Sequence, residues 1–334
     1  MNRTLLALTT HFIDENVISE YRKMKNTPNV DAILAINNTD CKIEFNNRVE
    51  NKIFFNTSVK CFFFDSKLHD ELKLPYFTFA GLENFGRNMW ANSDYRFAYI
   101  KKFFPNYDYY WTIDYDVFCN AETYAGFLKK FKNNHSDLII PVFRPEKKNG
   151  AWYWSHGTEW IYKDAEIYGS LFAVERISGR AIDFLYQRRL EHKKIFEESN
   201  DKDKHWIFCE LFTPTELMNG GFSCEKLEEK DITDNKKLYF NDKRIFLEPN
   251  DHLYHPVKSV KSEIEKHEKQ YADLFLMFKK VYLNQLAEKV IAIKNLSVHF
   301  DKDYNFVIFA IPKRGGGRYI FKIRSALYSG KNLS

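Results

Sequence analysis

Short apolar runs alternate with polar, helix-spaced segments along the first two-thirds of the chain. Thr4–Thr10 and Val30–Ile36 read as buried strands. Asp14–Met24 between them has helical spacing, with acids early and bases late as the helix dipole favours. Strand, helix, strand is a βαβ opening. Further along, Lys60–Phe64 predicts a third strand and about Leu82 to Phe104 a helical stretch. An apolar aromatic run from Tyr109 to Ile113 follows the Pro105-Asn106 turn and reads as a core strand. Next come a predicted helix (Ala121–Lys132), a strand (Asp137–Val142), a Gly/Trp-rich loop (Lys147–Trp160) and a strand (Leu171–Glu175). A helix over Ser178–His192 takes Ser178 as its cap. Arg189–Lys204, dense in both charge signs, reads as a solvated helix end and loop. Beyond Asn250–Val260, the spacing predicts a long helix over about Ser262–Glu288. A hairpin is expected from Leu296–Phe300 and Phe306–Ile311, flanking Asp301-Lys302-Asp303. No internal repeat is visible. The expected organisation is one α/β domain over 1–260, followed over 261–334 by a C-terminal helix, hairpin and basic tail.

The Tyr109–Ile113 strand stops at two carboxylates, Asp114-Tyr115-Asp116. Side chains alternate along a strand, so Asp114 and Asp116, two apart, are expected to share a face. Both acids would then sit at the carboxyl end of a core strand, where ligands bind in open α/β sheets. Like charges that close need a proton or a cation. Mg²⁺ or Mn²⁺ bridging phosphate oxygens suits such an all-oxygen pair. A bare Asp-x-Asp recurs elsewhere, at Asp201/Asp203 and Asp301/Asp303, in Lys-rich stretches that read as solvated loops. A strand-end turn with solvated acids is the alternative for Asp114/Asp116 as well.

Composition narrows the class. The 334 residues, 44% hydrophobic and 17% aromatic, can bury a full core and exclude a disordered chain. A net charge of +5 argues against a general nucleic-acid binder, though it fits anionic substrates. Five scattered cysteines without a CxxC pair indicate neither a disulfide framework nor a structural zinc site. The apolar Leu5-Leu6-Ala7-Leu8 is too short for a signal segment, and nothing approaches the ~20 apolar residues of a membrane span. A cytoplasmic protein is expected. Residues 312–334 differ: Lys313, Arg314, Arg318, Lys322, Arg324 and Lys331 are unopposed by any acid and interleaved with Tyr319, Ile320, Phe321, Ile323, Leu327 and Tyr328. Such a segment can lie on anionic headgroups at the inner face of the membrane. Ordinary packing of a strand or helix is the alternative.

The βαβ opening, Asn106-Tyr107-Asp108-Tyr109-Tyr110-Trp111-Thr112-Ile113-Asp114-Tyr115-Asp116-Val117, Tyr168-Gly169-Ser170-Leu171-Phe172, Arg176-Ile177-Ser178 and Tyr254-His255-Pro256-Val257-Lys258 together resemble a GT-A fold glycosyltransferase of the bacterial surface-polysaccharide kind, over roughly Thr4 to Lys258. The resemblance implies a GT-A, Rossmann-like mixed sheet flanked by helices. It also implies a nucleotide-sugar donor, most readily a UDP-sugar, and a saccharide or lipid-linked acceptor in capsule or lipopolysaccharide synthesis. By similarity Asp116 binds the metal directly, while Asp114 contacts the ribose or a metal-bound water. His255 completes the metal site, its imidazole suiting Mn²⁺ better than Mg²⁺. Lys258 neutralises the diphosphate leaving group, and Thr9, Thr10 and His11 lie where the uracil or ribose is expected. His255 before Pro256 also reads as a turn residue.

Transfer to a hydroxyl needs a proton acceptor in inverting enzymes. Glu210, in the apolar setting His205–Pro214, is the candidate base, with Glu166 and Glu159 as rivals and a helix-surface glutamate as the alternative. No clean Glu-Asp-Asp run of the kind common among inverting relatives is present. Trp152, Trp154 and Trp160 with His156 form an aromatic cluster readable as an acceptor platform or as packing under a loop. Asn88 and Arg96 stand where they could reach the nucleotide. Two other readings compete. A metal-dependent nucleotidyltransferase usually opens with a Gly-rich phosphate loop, which is lacking near Leu5–Glu15. The other is a non-catalytic, membrane-peripheral assembly factor on a transferase fold.

Overall fold

A computed structural model describes residues 3–41, 43–79, 81–82, 85–228, 232–234, 251–257, 293–300, 306–312 and 319–323. The chain divides into two compact units, 1–264 and 265–334. Eight strands build the main sheet of the first: β1 (Thr4–Thr10), β2 (Asp31–Asn37), β3 (Val49–Phe54), β4 (Thr57–Phe64), β5 (Tyr109–Asp114), β6 (Leu138–Pro141), β7 (Val174–Ser178) and β8 (Cys224–Leu227). Their order across the sheet is β8-β6-β7-β5-β1-β2-β4-β3. β1 runs parallel to both β2 and β5, and β2 parallel to β4. β7 is antiparallel to β5 and β6, and β3 to β4.

Side chains of the central strands alternate between two cores. Leu5, Ala7, Ile33, Ala35, Phe62 and Tyr110 face one, while Leu6, Leu8, Leu34, Ile36, Phe63 and Trp111 face the other. Both faces are covered, which is why these strands read as unbroken apolar runs instead of alternating ones. Helix α1 (Glu15–Lys25) covers the second face through Val17, Ile18, Tyr21 and Met24; Asp14 accepts from the Val17 N–H and caps it. The first face is covered by α2 (Tyr95–Phe103), α3 (Gly179–Glu198) and α4 (Cys209–Asn219). This is the mixed, Rossmann-like α/β sheet flanked by helices that the sequence predicts.

Several boundaries differ from expectation. The helical stretch expected over about 82–104 is broken into Phe85–Ala91 and α2, with Asn92 and Asp94 in the turn between them. The helix expected over Ala121–Lys132 is confined to Ala125–Lys129. The strand placed at Leu171–Glu175 lies at Val174–Ser178, because its antiparallel ladder runs from Val174 opposite Ile113 to Ser178 opposite Tyr109. The edge strand β3 was not expected; its polar, half-exposed pattern carries little periodic signal. Ser178 does cap α3, accepting from the Ala181 N–H. Arg189 and His192, expected in a solvated helix end, are buried.

The second unit shows a three-stranded antiparallel sheet, Ile293–Phe300, Phe306–Pro312 and Tyr319–Ile323. The first two strands are the expected hairpin. The third gives Tyr319-Ile320-Phe321 the place of an ordinary strand, the alternative to a membrane-lying tail. The helix expected over Ser262–Glu288 and the rest of the basic tail lie outside the described residues. No described helix is long and apolar enough to cross a membrane.

Candidate active site

After β1 the chain builds outward through β2 to β4 and β3, then returns to place β5 on the opposite side of β1. The strand order therefore reverses between β1 and β5, and a crevice opens at the carboxyl ends of two parallel strands at such a switch point. The register puts Thr9 beside Asp114 at that crevice. The Thr9 hydroxyl donates to Asp114 Oδ1 at 2.6 Å. Arg96, entering from the first turn of α2, donates from Nη1 to the same oxygen at 2.6 Å. Its Nη2 lies 3.1 Å from both oxygens of Glu175. Glu175 points off the adjacent β7, directly across from Thr112, whose hydroxyl also donates to it.

Two carboxylates thus share one guanidinium. Exposure is graded across the group: the Glu175 side chain is 0% exposed, Arg96 9% and Asp114 25%. Burial pushes the Glu175 carboxyl up to about 7; Asp114 adds to the rise, while Arg96 and the Thr112 hydroxyl oppose it. Burial also works against the charge on Arg96, but Asp114 and Glu175 outweigh it, and the guanidinium is held above its ordinary value. Asp114 is the most exposed member of the network.

Asp116 arrives differently. β5 ends at Asp114, and Asp116 sits in the turn closed by the Val117 N–H donating to the Asp114 carbonyl at 2.9 Å. The expectation that both acids share a strand face is therefore corrected: the second one is aimed by a turn. Phe118–Cys119 pairs with Leu253–His255, Cys119 opposite Leu253 and Phe118 opposite Tyr254. That ladder carries His255 to Asp116, where its Nε2 lies 3.5 Å from Oδ1. The Val257 N–H donates to the Asp116 carbonyl at 2.6 Å and locks the crossing. Burial, then Asp116, then Asp114 raise the Tyr115 phenol, so both carboxylates are felt at one ring.

As a metal site the arrangement is partial. Among the described residues no three His, Cys, Asp or Glu side chains gather as a ligand set. Asp116 and His255 form an oxygen-plus-imidazole pair, each side chain less than one-fifth exposed, and their chemistry fits Mn²⁺ with further positions left for phosphate or water oxygens. Asp114, expected among the ligands, has Oδ1 engaged by Thr9 and Arg96. Lys258 lies outside the described residues.

The other expected contacts sort by what they already hold. Thr10 is buried and spends its hydroxyl on the Phe12 backbone. His11 is exposed, with its ring 5.0 Å from Phe12 and 5.2 Å from Tyr115. Phe12 and Tyr115 were not singled out in the sequence; they complete a small aromatic corner beside the crevice. Asn88 is fully buried and donates to the Pro75 and Phe77 carbonyls, which removes it from any nucleotide contact. Glu166 accepts from Tyr168 and Glu159 from Asn149, both toward the surface.

Glu210 is half-buried in the first turn of α4. Its Oε1 accepts from the Phe172 N–H at 3.4 Å, and the neighbouring Ala173 carbonyl accepts from the Asp114 N–H at 3.0 Å. The candidate base and the first acid of Asp-x-Asp are therefore tied to adjacent residues of one segment. The three expected platform tryptophans are packed instead of free. Trp152 lies over Gly169, where any Cβ would come within 2.9 Å of its ring. Trp160 donates to the His205 carbonyl, and Trp154 stacks on Phe208 at 4.0 Å.

No family model matches the chain, and no curated protein matches it. Among solved structures, mouse xyloside xylosyltransferase 1 in its apo form is similar, at 11% identity and a TM-score of 0.43, covering 76% of this chain and 96% of that one.

Proposed function

We propose that the chain is a metal-dependent glycosyltransferase that moves a sugar from a nucleotide-sugar, most readily a UDP-sugar, to a saccharide or lipid-linked acceptor in surface-polysaccharide synthesis. The observation that carries the reading is the pairing of Thr9 with Asp114 across the switch point, with Asp116 and His255 beside it. The nucleobase lies against His11 and Tyr115, and the diphosphate lies over the carboxyl ends of β1 and β5. Asp116 and His255 would hold Mn²⁺ or Mg²⁺, which when bound supplies positive charge to the departing diphosphate. Arg96 fixes Asp114 in direction through Oδ1, so that Asp114 would meet the ribose or a metal-bound water without reorganising. Preorganised charge of this kind lowers the barrier where charge develops.

On the acceptor side, Glu210 removes the proton from the attacking hydroxyl. Its carboxylate is steadied by the Phe172 N–H, one residue from the backbone tie to Asp114. In this reading the carbon–phosphate oxygen bond breaks as the hydroxyl oxygen bonds to the anomeric carbon, and the proton ends on Glu210. No Gly-rich phosphate loop follows β1, which disfavours nucleotidyl transfer.

Calorimetry with UDP and Mn²⁺ tests the metal pair: Asp116→Ala should abolish metal-dependent nucleotide binding while the protein still unfolds cooperatively. Unchanged affinity would overturn the assignment. Glu210→Gln should retain UDP affinity and lose about 10²–10⁴-fold in transfer, the range for a removed proton acceptor. Near wild-type turnover would move the role to another group or to a retaining mechanism.

A further inference from the structure

Among the described residues two large aromatic rings are more than half exposed: Trp90 at 59% and Tyr153 at 58%. They come from separate parts of the chain, the Phe85–Ala91 helix and the Gly/Trp-rich loop. Trp154 joins them, its ring edge-on to both, 5.7 Å from Trp90 and 5.1 Å from Tyr153. Trp154 in turn stacks flat on Phe208 at 4.0 Å with an interplanar angle of 6°. Phe79 closes the other side, 4.4 Å from Tyr153 and 5.4 Å from Trp154.

The base of this cluster is rigid and leads to the candidate base. Phe208 is buried and is the residue on which α4 begins, two positions before Glu210. Trp90 packs edge-on against Phe208 at 5.1 Å, and its carbonyl accepts from the Cys209 thiol at 4.0 Å. An exposed ring held this firmly retains little freedom for a ligand to remove.

We infer that Trp90 and Tyr153 form the docking platform for the acceptor saccharide, a pyranose-containing chain whose sugar rings lie against them while its reacting hydroxyl reaches Glu210. The inference rests on the proposed transfer reaction for the identity of its ligand. The chemistry of the patch favours a sugar over a protein partner. Both exposed side chains are amphipathic rings with a polar handle. Among the described residues neither the Trp90 indole N–H nor the Tyr153 hydroxyl has a hydrogen-bond partner. A pyranose presents an apolar C–H face with hydroxyls around its rim, and it matches both parts of such a ring. Among the described residues the exposed large aliphatic side chains are Ile53 on β3 and Ile195 on α3, on neither of the segments that carry the two rings, whereas a protein-docking patch gains most from broad apolar area. Of Trp152, Trp154, Trp160 and His156, which the sequence left readable as a platform or as packing under a loop, Trp154 supports the two exposed rings.

Binding to an array of immobilised pyranose oligosaccharides tests the platform, with the purified full chain as probe. Wild type should bind at least one member of the array. Trp90→Ala and Tyr153→Ala should each weaken that binding at least 10-fold while keeping a cooperative thermal transition near that of wild type, since both rings are more than half exposed. Equal binding by wild type and both variants would overturn the inference, and so would the absence of any wild-type binding. Release of UDP from UDP-sugars by wild type with Mn²⁺ is measured in parallel. Its failure across the donor panel would sink the proposed reaction and leave the array result to judge the platform separately.

Discussion

Two buried arginines meet at the start of α2, Arg96 as a residue of its first turn and Arg189 through the carboxylate of Asp94 just before it, and they are built for different tasks. Arg189 faces one acid. Its Nε and Nη2 each lie 2.8 Å from an oxygen of Asp94, its Nη1 donates to the Ile207 carbonyl at 2.9 Å, and its guanidinium sits 3.6 Å over the Phe212 ring. Both side chains are nearly sealed, at 1% and 3% exposure. Arg96, two residues along the chain from Asp94, faces two acids and borders a crevice. The Arg189 pair is closed in charge and in hydrogen bonds. The Arg96 group carries one carboxylate too many and offers Asp114 to solvent, which is the condition for attracting a cation or a hydroxyl-rich ligand.

The surroundings reinforce the contrast. Next to Arg189, buried Glu216 accepts from Tyr162 at 2.6 Å and from Arg188 at 2.6 Å, with His192 Nε2 2.9 Å away. Burial would raise the Glu216 carboxyl, but His192, Arg188 and Tyr162 outweigh it and bring it down to about 2. Burial lowers His192 as well, against the pull of Glu216, so the imidazole is neutral near pH 7 and Arg188 is the lasting charge partner. Every charge in that cluster has an answer within it. It fixes α3 against α4 and so holds the helix whose first turn carries Glu210.

The sharpest break of the comparison is Arg189→Ala. It leaves Asp94 buried without its partner, which costs about 3–5 kcal/mol for a buried pair broken on one side. That is a large share of a typical domain's stability. Urea unfolding should show a midpoint shift of matching size, and a loss below about 1 kcal/mol would mean that Asp94 finds water or another donor.

The contrast also marks what could be read in advance. The end of a core strand at Asp114 was legible because a β-branched, aromatic run stops there, whereas the turn that carries Asp116 was not. Glu175 was not, because its partners are set by the antiparallel ladder of β7 on β5, and no local pattern encodes that register. Arg189 and His192 were misread from composition, although Ile182, Leu185, Arg189 and His192 repeat at helical spacing and share the buried stripe of α3. His255 was reachable only through resemblance, since a strand ladder from the far end of the first unit delivers it to Asp116. Trp90 gave no signal, because exposure of a ring within a helix depends on what packs around it.

A smaller and more diagnostic effect is expected at Glu175. Its folded value of about 7 lies above the ordinary 4.5 of a free glutamate, so the native state holds that proton more tightly than the unfolded chain. Its penalty is absent below about pH 4.5 and grows as pH rises through 7, which makes the native state less stable with rising pH over that window. Glu216 has the opposite sign: its contribution is present above pH 4.5 and is lost as pH falls toward 2. Glu175→Gln removes the first dependence and leaves the second. His69 and His192, both lowered by burial, gain stability with rising pH in either protein and cancel in the difference. Urea unfolding at several pH values should therefore show the variant gaining about 1–3 kcal/mol relative to wild type between pH 4.5 and 8, discounted for the compensating Arg96 pair. The variant also leaves Arg96 to Asp114 alone, so the charge excess at the crevice disappears and Mn²⁺-dependent UDP affinity should fall several-fold. A variant with wild-type pH dependence and wild-type affinity would show that Glu175 is as self-contained as Asp94, and the distinction between the open and the closed arginine would be lost.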